Sequence, residues 1–484
     1  MTLGNPVSLP ILILVGGAFL LILISRLISS SQLSLGIMTV VLCMIAFGSL
    51  LYLFDQTGKA EASIIQPQFW GSLGQGGSIL VATPWAVVFS GISLVVGICV
   101  ILFASGSQEI TPDRKQFFPL VLLSLSGLYG LMMAGDLFNI YLFSELLCIS
   151  ACGMIMVNRK SRGAVQAALK YLIMGSTATL VMLLGLALVY RESGQILMSA
   201  ISGSAGLWGR IGAGCFVVGL GLKIGFVPLH GWLPDAYDYA PDAVSGLLAG
   251  VISISALFIL PGIGLSLGLS GEELGLILIL GSFLNMFVGN ITALAQKKTK
   301  RVLAYSSIAY TGYMMFSLGI GLYFNIPDSL SATFFLFIGH AVMKSLAFLS
   351  LGLIKDEAVR LPRGRELLSR IVFFVSIAGL AGIPPLAGFV GKWVVIVEAL
   401  KAKNILASIG IALFLINSLI SLGYYLPMLR LVFAAESNQG IGSSKSQRMP
   451  FVMILSLVIL GLLVLWIGIQ PANWMDWAAC FGLK

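Results

Sequence analysis

Polar positions are scarce along this chain, and their placement cuts it into long apolar runs. A run of about 20 residues can cross a bilayer as a helix. Fourteen such runs occur, near 7–28, 33–54, 83–105, 117–134, 137–157, 166–190, 207–228, 241–265, 274–295, 301–323, 330–354, 371–398, 404–433 and 451–470. The first is too long, and too poor in basic residues ahead of it, to read as a cleaved signal peptide. Residues 55–82 form the longest polar-leaning connection, with Trp70 and several glycines. The pattern predicts an all-α polytopic membrane protein, with residues 1–484 forming one membrane domain.

Composition agrees. Hydrophobic residues make up 58% of the chain and charged ones 10%, with a mean hydropathy of +1.02; an ordinary soluble domain carries about 25% charged residues. The basic residues set a direction. With the connections alternating from an outside N-terminus, 19 of the 28 lysines and arginines fall inside, six outside and three within spans. That asymmetry follows the positive-inside rule and places both termini outside the cell (inner) membrane. The net charge of +9 therefore records topology and gives no reason to expect nucleic acid as a partner.

Six cysteines are present, five of them in spans. Cys148 and Cys152 share a helix face, but without nearby histidine or carboxylate ligands they read as small buried hydrophobes. No phosphate loop, dinucleotide fingerprint or redox-cluster motif is found. The expectation is no cofactor, no metal and no redox chemistry in this chain.

Away from the span ends lie three lysines, Lys223, Lys344 and Lys392, and with them Glu145 and His340. A charge near the bilayer centre costs on the order of 3 kcal/mol, so such residues usually face a bundle interior and mark an ion pathway. Glu145 lies nine residues beyond Asp136, about 13 Å at the helical rise and near the middle of a core about 30 Å thick. Lys223 is too deep in the seventh span to snorkel outward easily. His340 and Lys344, four positions apart, share a face. Asp136, at the outer mouth, reads either as part of the pathway or as a solvated helix-start carboxylate. His230, Ser253 and Ser255 complete a second tier of pathway candidates.

Two spans are interrupted, at GFVPLHGWLP in the seventh and AGLAGIPPLAGFVGKW in the twelfth. Proline opens the helical ladder, and open backbone in a membrane survives only against protein or water. Matching breaks in two halves mark transporter-type repeats. These lie five spans apart, an odd number, so the repeats would be inverted.

The chain resembles the antiporter-like membrane subunits of respiratory complex I, Mrp-type cation/proton antiporters and membrane-bound hydrogenases. The resemblance covers about residues 80–435 and rests on GDLFNIYLFSELL (135–147), KIGFVPLHGWLPDAYDYAP (223–241), TKRVLAYSSIAYTGYM (299–314), HAVMKS (340–345) and GIPPLAGFVGKW (382–393). It implies about fourteen transmembrane helices, with five-helix repeats at 117–265 and 274–433 and peripheral helices in 1–105 and 451–470. It sets the family's glutamate on Glu145, its lysine on Lys223, its histidine on His340 and its twelfth-span charge on Lys392. The GDLFN run, and a chain ending after the fourteenth span, lean towards the D-type member of the Mrp sodium/proton antiporters. Two departures stand out. The eighth span has Ser253 about where most relatives carry lysine or histidine, and Tyr237 stands where many have histidine.

The implied function is proton translocation within a multisubunit membrane complex. Protons would pass along Glu145, Lys223, water or Ser253, His340 with Lys344, and Lys392. Lys223 would be held by Glu145 across the fifth and seventh spans. Other membrane subunits are the expected partners, and protons, with or without sodium, the expected ions. Two rivals stay open: a complex I or hydrogenase subunit of the same fold, and a structural subunit that no longer conducts.

Overall fold

The computed structural model describes residues 7–27, 31–59, 68–70, 78–110, 114–157, 161–201, 206–355, 363–433, 450–472 and 474. Apart from one small ribbon, the described chain is helical. It begins with α1 (Leu9–Leu27), α2 (Gln32–Lys59), α3 (Pro84–Gly106) and α4 (Arg114–Met132). Between α2 and α3 lies an antiparallel ribbon, β1 (Gln68–Trp70) with β2 (Ser78–Leu80). It sits inside the connection expected at 55–82, and Gly135 donates to the Ile79 carbonyl at 3.0 Å, fixing the ribbon over the α4–α5 turn.

The middle of the chain forms α5 (Leu137–Ile155), α6 (Arg162–Ser193), α7 (Leu207–Ile224), the short α8 (Leu233–Tyr239), α9 (Asp242–Leu247) and α10 (Ser253–Ser266). A π-helical turn, Leu248–Ile252, joins α9 to α10. Then come α11 (Gly271–Leu294), α12 (Thr299–Tyr323), α13 (Asp328–Lys355), α14 (Arg363–Ala381), α15 (Ala387–Leu400), α16 (Ile405–Phe433) and α17 (Phe451–Ile469).

Twelve helical stretches are long and apolar enough to cross a membrane. The two expected spans outside that set are α12, whose serines, threonine and tyrosines lower its hydropathy, and the α14–α15 pair, which is split in two. Large apolar side chains such as Phe19, Leu180 and Leu419 point outward. Outward apolar surface is what a lipid-facing rim requires. α13 is the opposite case: its whole apolar window is buried. The helix that carries His340 and Lys344 is thus the centre of the bundle.

The two breaks are built alike. α7 ends at Gly225 (φ 79°) and α14 at Gly382 (φ 87°), both in the left-handed region that glycine enters without a Cβ clash. In each, the next residue's N–H turns back five positions: Phe226 to the Gly221 carbonyl at 2.8 Å, Ile383 to the Ala378 carbonyl at 3.0 Å. Prolines then prevent the helix from resuming at once.

Candidate functional site

Lys223 is the penultimate residue of α7, held where the glycine cap stops the helix. Its Nζ donates to the backbone carbonyl of Ser144 on α5 at 3.2 Å. Glu145, the next residue on α5, turns to α6 instead. Its carboxylate accepts from Thr179 Oγ1 at 2.6 Å and from Ser176 Oγ at 3.4 Å. The expected Lys223–Glu145 ion pair is therefore not formed. The α6 hydroxyls of Thr179 and Ser176 take both oxygens of the Glu145 carboxylate, and Lys223 takes a main-chain acceptor in its place. Lys223 also lines a cavity of about 30 Å³ with Ser144, Cys148, Tyr171, Ser253 and Ser255. At ~10–15 Å³ each, that is room for about two waters.

The eighth span resolves into α9, the π turn and α10, and both sequence departures meet there. Ser253 and Tyr237 are hydrogen bonded, Oγ to Oη, at 2.7 Å. The phenol donates to the Leu248 carbonyl at 3.3 Å, which makes Ser253 the donor within the pair. Ser255 turns away, donating to the Ile252 carbonyl at 2.7 Å. A π turn puts backbone carbonyls out of helical register. His340 Nε2 lies 3.2 Å from one of them, that of Ala249. That contact needs a proton on Nε2, so Nδ1 is the acceptor, and it has no partner among the described residues. Gly250 allows α13 this close; a Cβ there would come within 2.2 Å of Ser345 Oγ.

Although His340 and Lys344 share a face, they reach different neighbours. Lys344 Nζ donates to the Leu303 carbonyl at 2.8 Å and to Ser306 Oγ at 2.5 Å, both on α12. Lys392, in the second turn of α15, reaches back to the Ala381 carbonyl at 3.5 Å and across to Ser418 Oγ of α16 at 3.0 Å. Its ammonium also lies 5.0 Å from the centre of the Tyr313 ring, a cation–π distance.

Around Lys392 is a polar network that sequence reading overlooked. Asn290 Nδ2 donates to Asn417 Oδ1 at 3.2 Å and to Tyr313 Oη at 3.4 Å, while its Oδ1 accepts from Tyr424 Oη at 2.9 Å. Asparagines in the apolar spans of α11 and α16 were the available signal. Asn285 was missed too; its Oδ1 accepts from Val227 N at 2.8 Å and satisfies backbone freed by the α7 break.

Asp136 is fully buried, which corrects the solvated reading. It caps α5, accepting from Asn139 N, Asn139 Nδ2 and Ile79 N, each at 2.8 Å. His230 stands in the turn between α7 and α8, its ring 6.4 Å from that of Tyr305, and does not line the Lys223 cavity.

Basic residues expected inside gather at one end of the bundle. Asp235 of α8 binds Lys170 at 2.7 Å and Arg301 at 2.8 Å, Asp238 binds Lys298 at 2.9 Å, and Asp242 binds Lys300 at 2.5 Å. Burial alone would raise the Asp235 carboxyl, but hydrogen bonds from Lys170 and Arg301, with their charges, outweigh it and hold the group below the ordinary aspartate range. This cluster ties the segment after the first break to the start of α12. Residues expected outside meet at the other end, as in the Arg210–Glu273 pair and Lys401 with Asp328 at 2.9 Å.

Comparison with known proteins places this arrangement. Residues 134–421 match the family model described as NADH:quinone oxidoreductase/Mrp antiporter, TM. NADH-quinone oxidoreductase subunit N 1 of Sorangium cellulosum is 31% identical over 419 residues, covering 81% of this chain and 82% of its own. Subunit N of Rubrobacter xylanophilus is 29% identical over 398 residues, covering 80% and 82%. Among solved structures, a chain of the membrane-bound sulfane sulfur reductase, an archaeal respiratory complex, superposes with a TM-score of 0.84 at 24% identity, over 98% of this chain and 97% of its own. A chain of the Mrp complex from Dietzia sp. gives 0.83 at 20%, over 99% and 97%. One of complex I from Thermus thermophilus gives 0.76 at 26%, over 97% and 99%. The curated relatives are named subunit N, so the lean towards the D-type Mrp member is corrected to the broader superfamily.

Proposed function

The chain belongs to the NADH:quinone oxidoreductase/Mrp antiporter membrane family, and from that premise we propose that it is a proton-translocating membrane subunit of an NADH:quinone oxidoreductase-type complex. The observation that carries this reading is the state of its intramembrane lysines. Lys223, Lys344 and Lys392 are held by carbonyls, hydroxyls and an aromatic face. Among the described residues, no carboxylate comes within ion-pair distance of any of the three. A buried structural charge normally has a counter-ion. A lysine held by neutral acceptors can give up its proton without leaving a carboxylate unpaired.

The wider reading has fourteen crossings in two inverted repeats, 117–265 and 274–433, with the chain broken after α7 and between α14 and α15, and both termini outside. The similar caps at Gly225 and Gly382 support it. Protons move between Lys223 and the centre through the cavity shared with Ser253, and onward by His340 and Lys344 to Lys392. Glu145 acts on Lys223 through space. Other membrane subunits of the complex are its partners.

A second reading, a D-type member of an Mrp cation/proton antiporter, rests on the GDLFN run. The subunits that copurify separate the two: redox subunits for the first, small antiporter subunits alone for the second. The test of translocation itself is ion-driven pH change in vesicles, normalised to assembled complex. Lys223→Met and the double variant Glu145→Gln with Lys223→Met should assemble and be inactive. Near-normal transport by the double variant overturns the proposal and leaves Lys223 as a structural charge in a non-conducting subunit.

A further inference from the structure

A second cavity, of about 210 Å³, lies at the end of the bundle away from the Asp235 cluster. Leu318, on its wall, is 17 residues along α12 from Arg301 of that cluster, about 25 Å at the helical rise. The first turns of α3 and α13 and the later turns of α10 enclose most of it. Local sequence opens the space. Pro261 withholds an N–H from the α10 ladder, and Gly262 beside it presents no side chain; a Cβ there would meet nothing within 4 Å. The floor is aromatic. Phe89 stacks on Phe337 at 4.3 Å, and Phe258 meets both, at 5.2 and 4.7 Å. Phe337 precedes His340 by three residues, so these rings stand between the cavity and the buried charges. No charged side chain lines it, and only Thr83 and Thr333 bring hydroxyls. Thr83 Oγ1 accepts from Ala86 N at 3.2 Å, and Thr333 Oγ1 donates to the Ser329 carbonyl at 2.8 Å. A buried water needs two to four polar partners, whereas an apolar cavity of about 150 Å³ stays dry and takes up benzene.

We propose that this cavity is a binding site for one acyl chain of a membrane phospholipid, which enters sideways past Gly262. The mouth carries the argument for that occupant. Gly262 is exposed, Ile259 is partly exposed and Leu265 is 39% exposed. The three fall at helical spacing on one outward stripe of α10, so the opening lies in an apolar face of the kind that lipid covers. Gly262 is four residues from the end of α10 at Ser266, about 6 Å, which leaves the headgroup at the helix end while the chain turns inward. Scaled from benzene, the volume holds about eight carbons of that chain. The chain fills the gap between α3, α10 and the central helix α13, and its end rests on the aromatic floor. None of this depends on whether the protein conducts.

The test uses the intact complex in vesicles of phosphatidylcholine that carries a photoreactive diazirine near the end of one acyl chain. After irradiation, peptide mass spectrometry locates the label. Phe89 and Met132 line the cavity and are 2% and 9% exposed, so lipid on the outer surface does not reach them. Both should be labelled in the parent. Gly262→Trp puts an indole in the mouth and should reduce their labelling to background. Gly214→Trp is the control: Gly214 of α7 is also exposed, with nothing within 4 Å of a Cβ, and does not line the cavity. It should leave the labelling unchanged. If Gly262→Trp assembles poorly, Gly262→Leu takes its place, with the same loss expected. Label confined to outward-facing residues such as Leu180 and Leu419 overturns the site, as it would if a neighbouring subunit closed the mouth. Undiminished labelling of Phe89 and Met132 in an assembled Gly262 variant overturns the entry route. Labelling by a free diazirine fatty acid but not by the phospholipid overturns the phospholipid as the source of the chain.

Discussion

The breaks after α7 and α14 share a cap and a proline, yet their lysines occupy opposite sides. Lys223 lies two residues before Gly225; Lys392 lies ten after Gly382. Ten after Gly225 is Asp235, which is tied into the ion-pair cluster with Lys170 and Arg301. The same backbone device therefore presents a buried ammonium in one half and a surface carboxylate in the other. The surroundings differ as well. Lys223 is partly accessible, has one carbonyl at 3.2 Å and faces a cavity. Lys392 is 6% exposed and packed among a carbonyl, a hydroxyl and a ring. Lys223 has one long contact beside open volume, and Lys392 has three contacts and little space.

The comparison breaks most directly at Lys392. Lys392→Ala should reduce ion-driven pH change in vesicles to background while the complex still assembles, because only neutral groups lose a partner. Normal flux in the assembled variant would make Lys392 an interfacial anchor beside Trp393.

The next largest effect concerns the cavity of the first half. Ser253→Lys puts a second ammonium beside Lys223 in about 30 Å³. An unpaired buried charge costs several kcal/mol, so the assembled complex should be lost. Ser253→Ala should cost only about 1 kcal/mol, since Tyr237 keeps the Leu248 carbonyl. Recovery of both in detergent, followed by thermal unfolding, measures the difference. A stable, active lysine variant would mean that the cavity opens to far more water.

Asp136 sharpens the comparison by subtraction. Asp136→Asn should keep transport near normal at a cost of about 1 kcal/mol in thermal stability, as for a weakened helix cap. Loss of transport with stability intact would return Asp136 to the pathway.

The smallest effect is at Asp235. Its carboxyl is held below the ordinary value of about 3.9. A depressed native pKa contributes stability above the unfolded value and loses it as pH falls through the native one. Asp235→Asn should therefore cost at most about 1 kcal/mol at neutral pH, given the group's exposure, and nothing at the acid end. Equal stability loss at all pH values would show that the carboxylate's charge is not what matters.

Much of the fold was legible in the chain. Apolar runs marked the spans, because transfer into a bilayer depends on composition over a window. Gly225 with Pro228 and Gly382 with Pro384 marked the breaks, because a left-handed glycine followed by proline stops any helix. The five ionisable residues announced themselves by their expense. What they touch was not legible. Glu145 was expected on Lys223 but binds Thr179 and Ser176, because which face of α5 meets which helix is set by packing.

The sequence by itself therefore determined where the long apolar helices lie, where they break and which charges they carry, since each follows from the local preference of a few neighbouring residues. Only the tertiary structure decided that Ser253 meets Tyr237, that Asp136 is a buried cap, and that Asn290 reaches Asn417 across 127 residues of chain. In hydrocarbon a polar group takes whatever partner the packing of neighbouring helices brings within reach, and that packing is a property of the whole bundle.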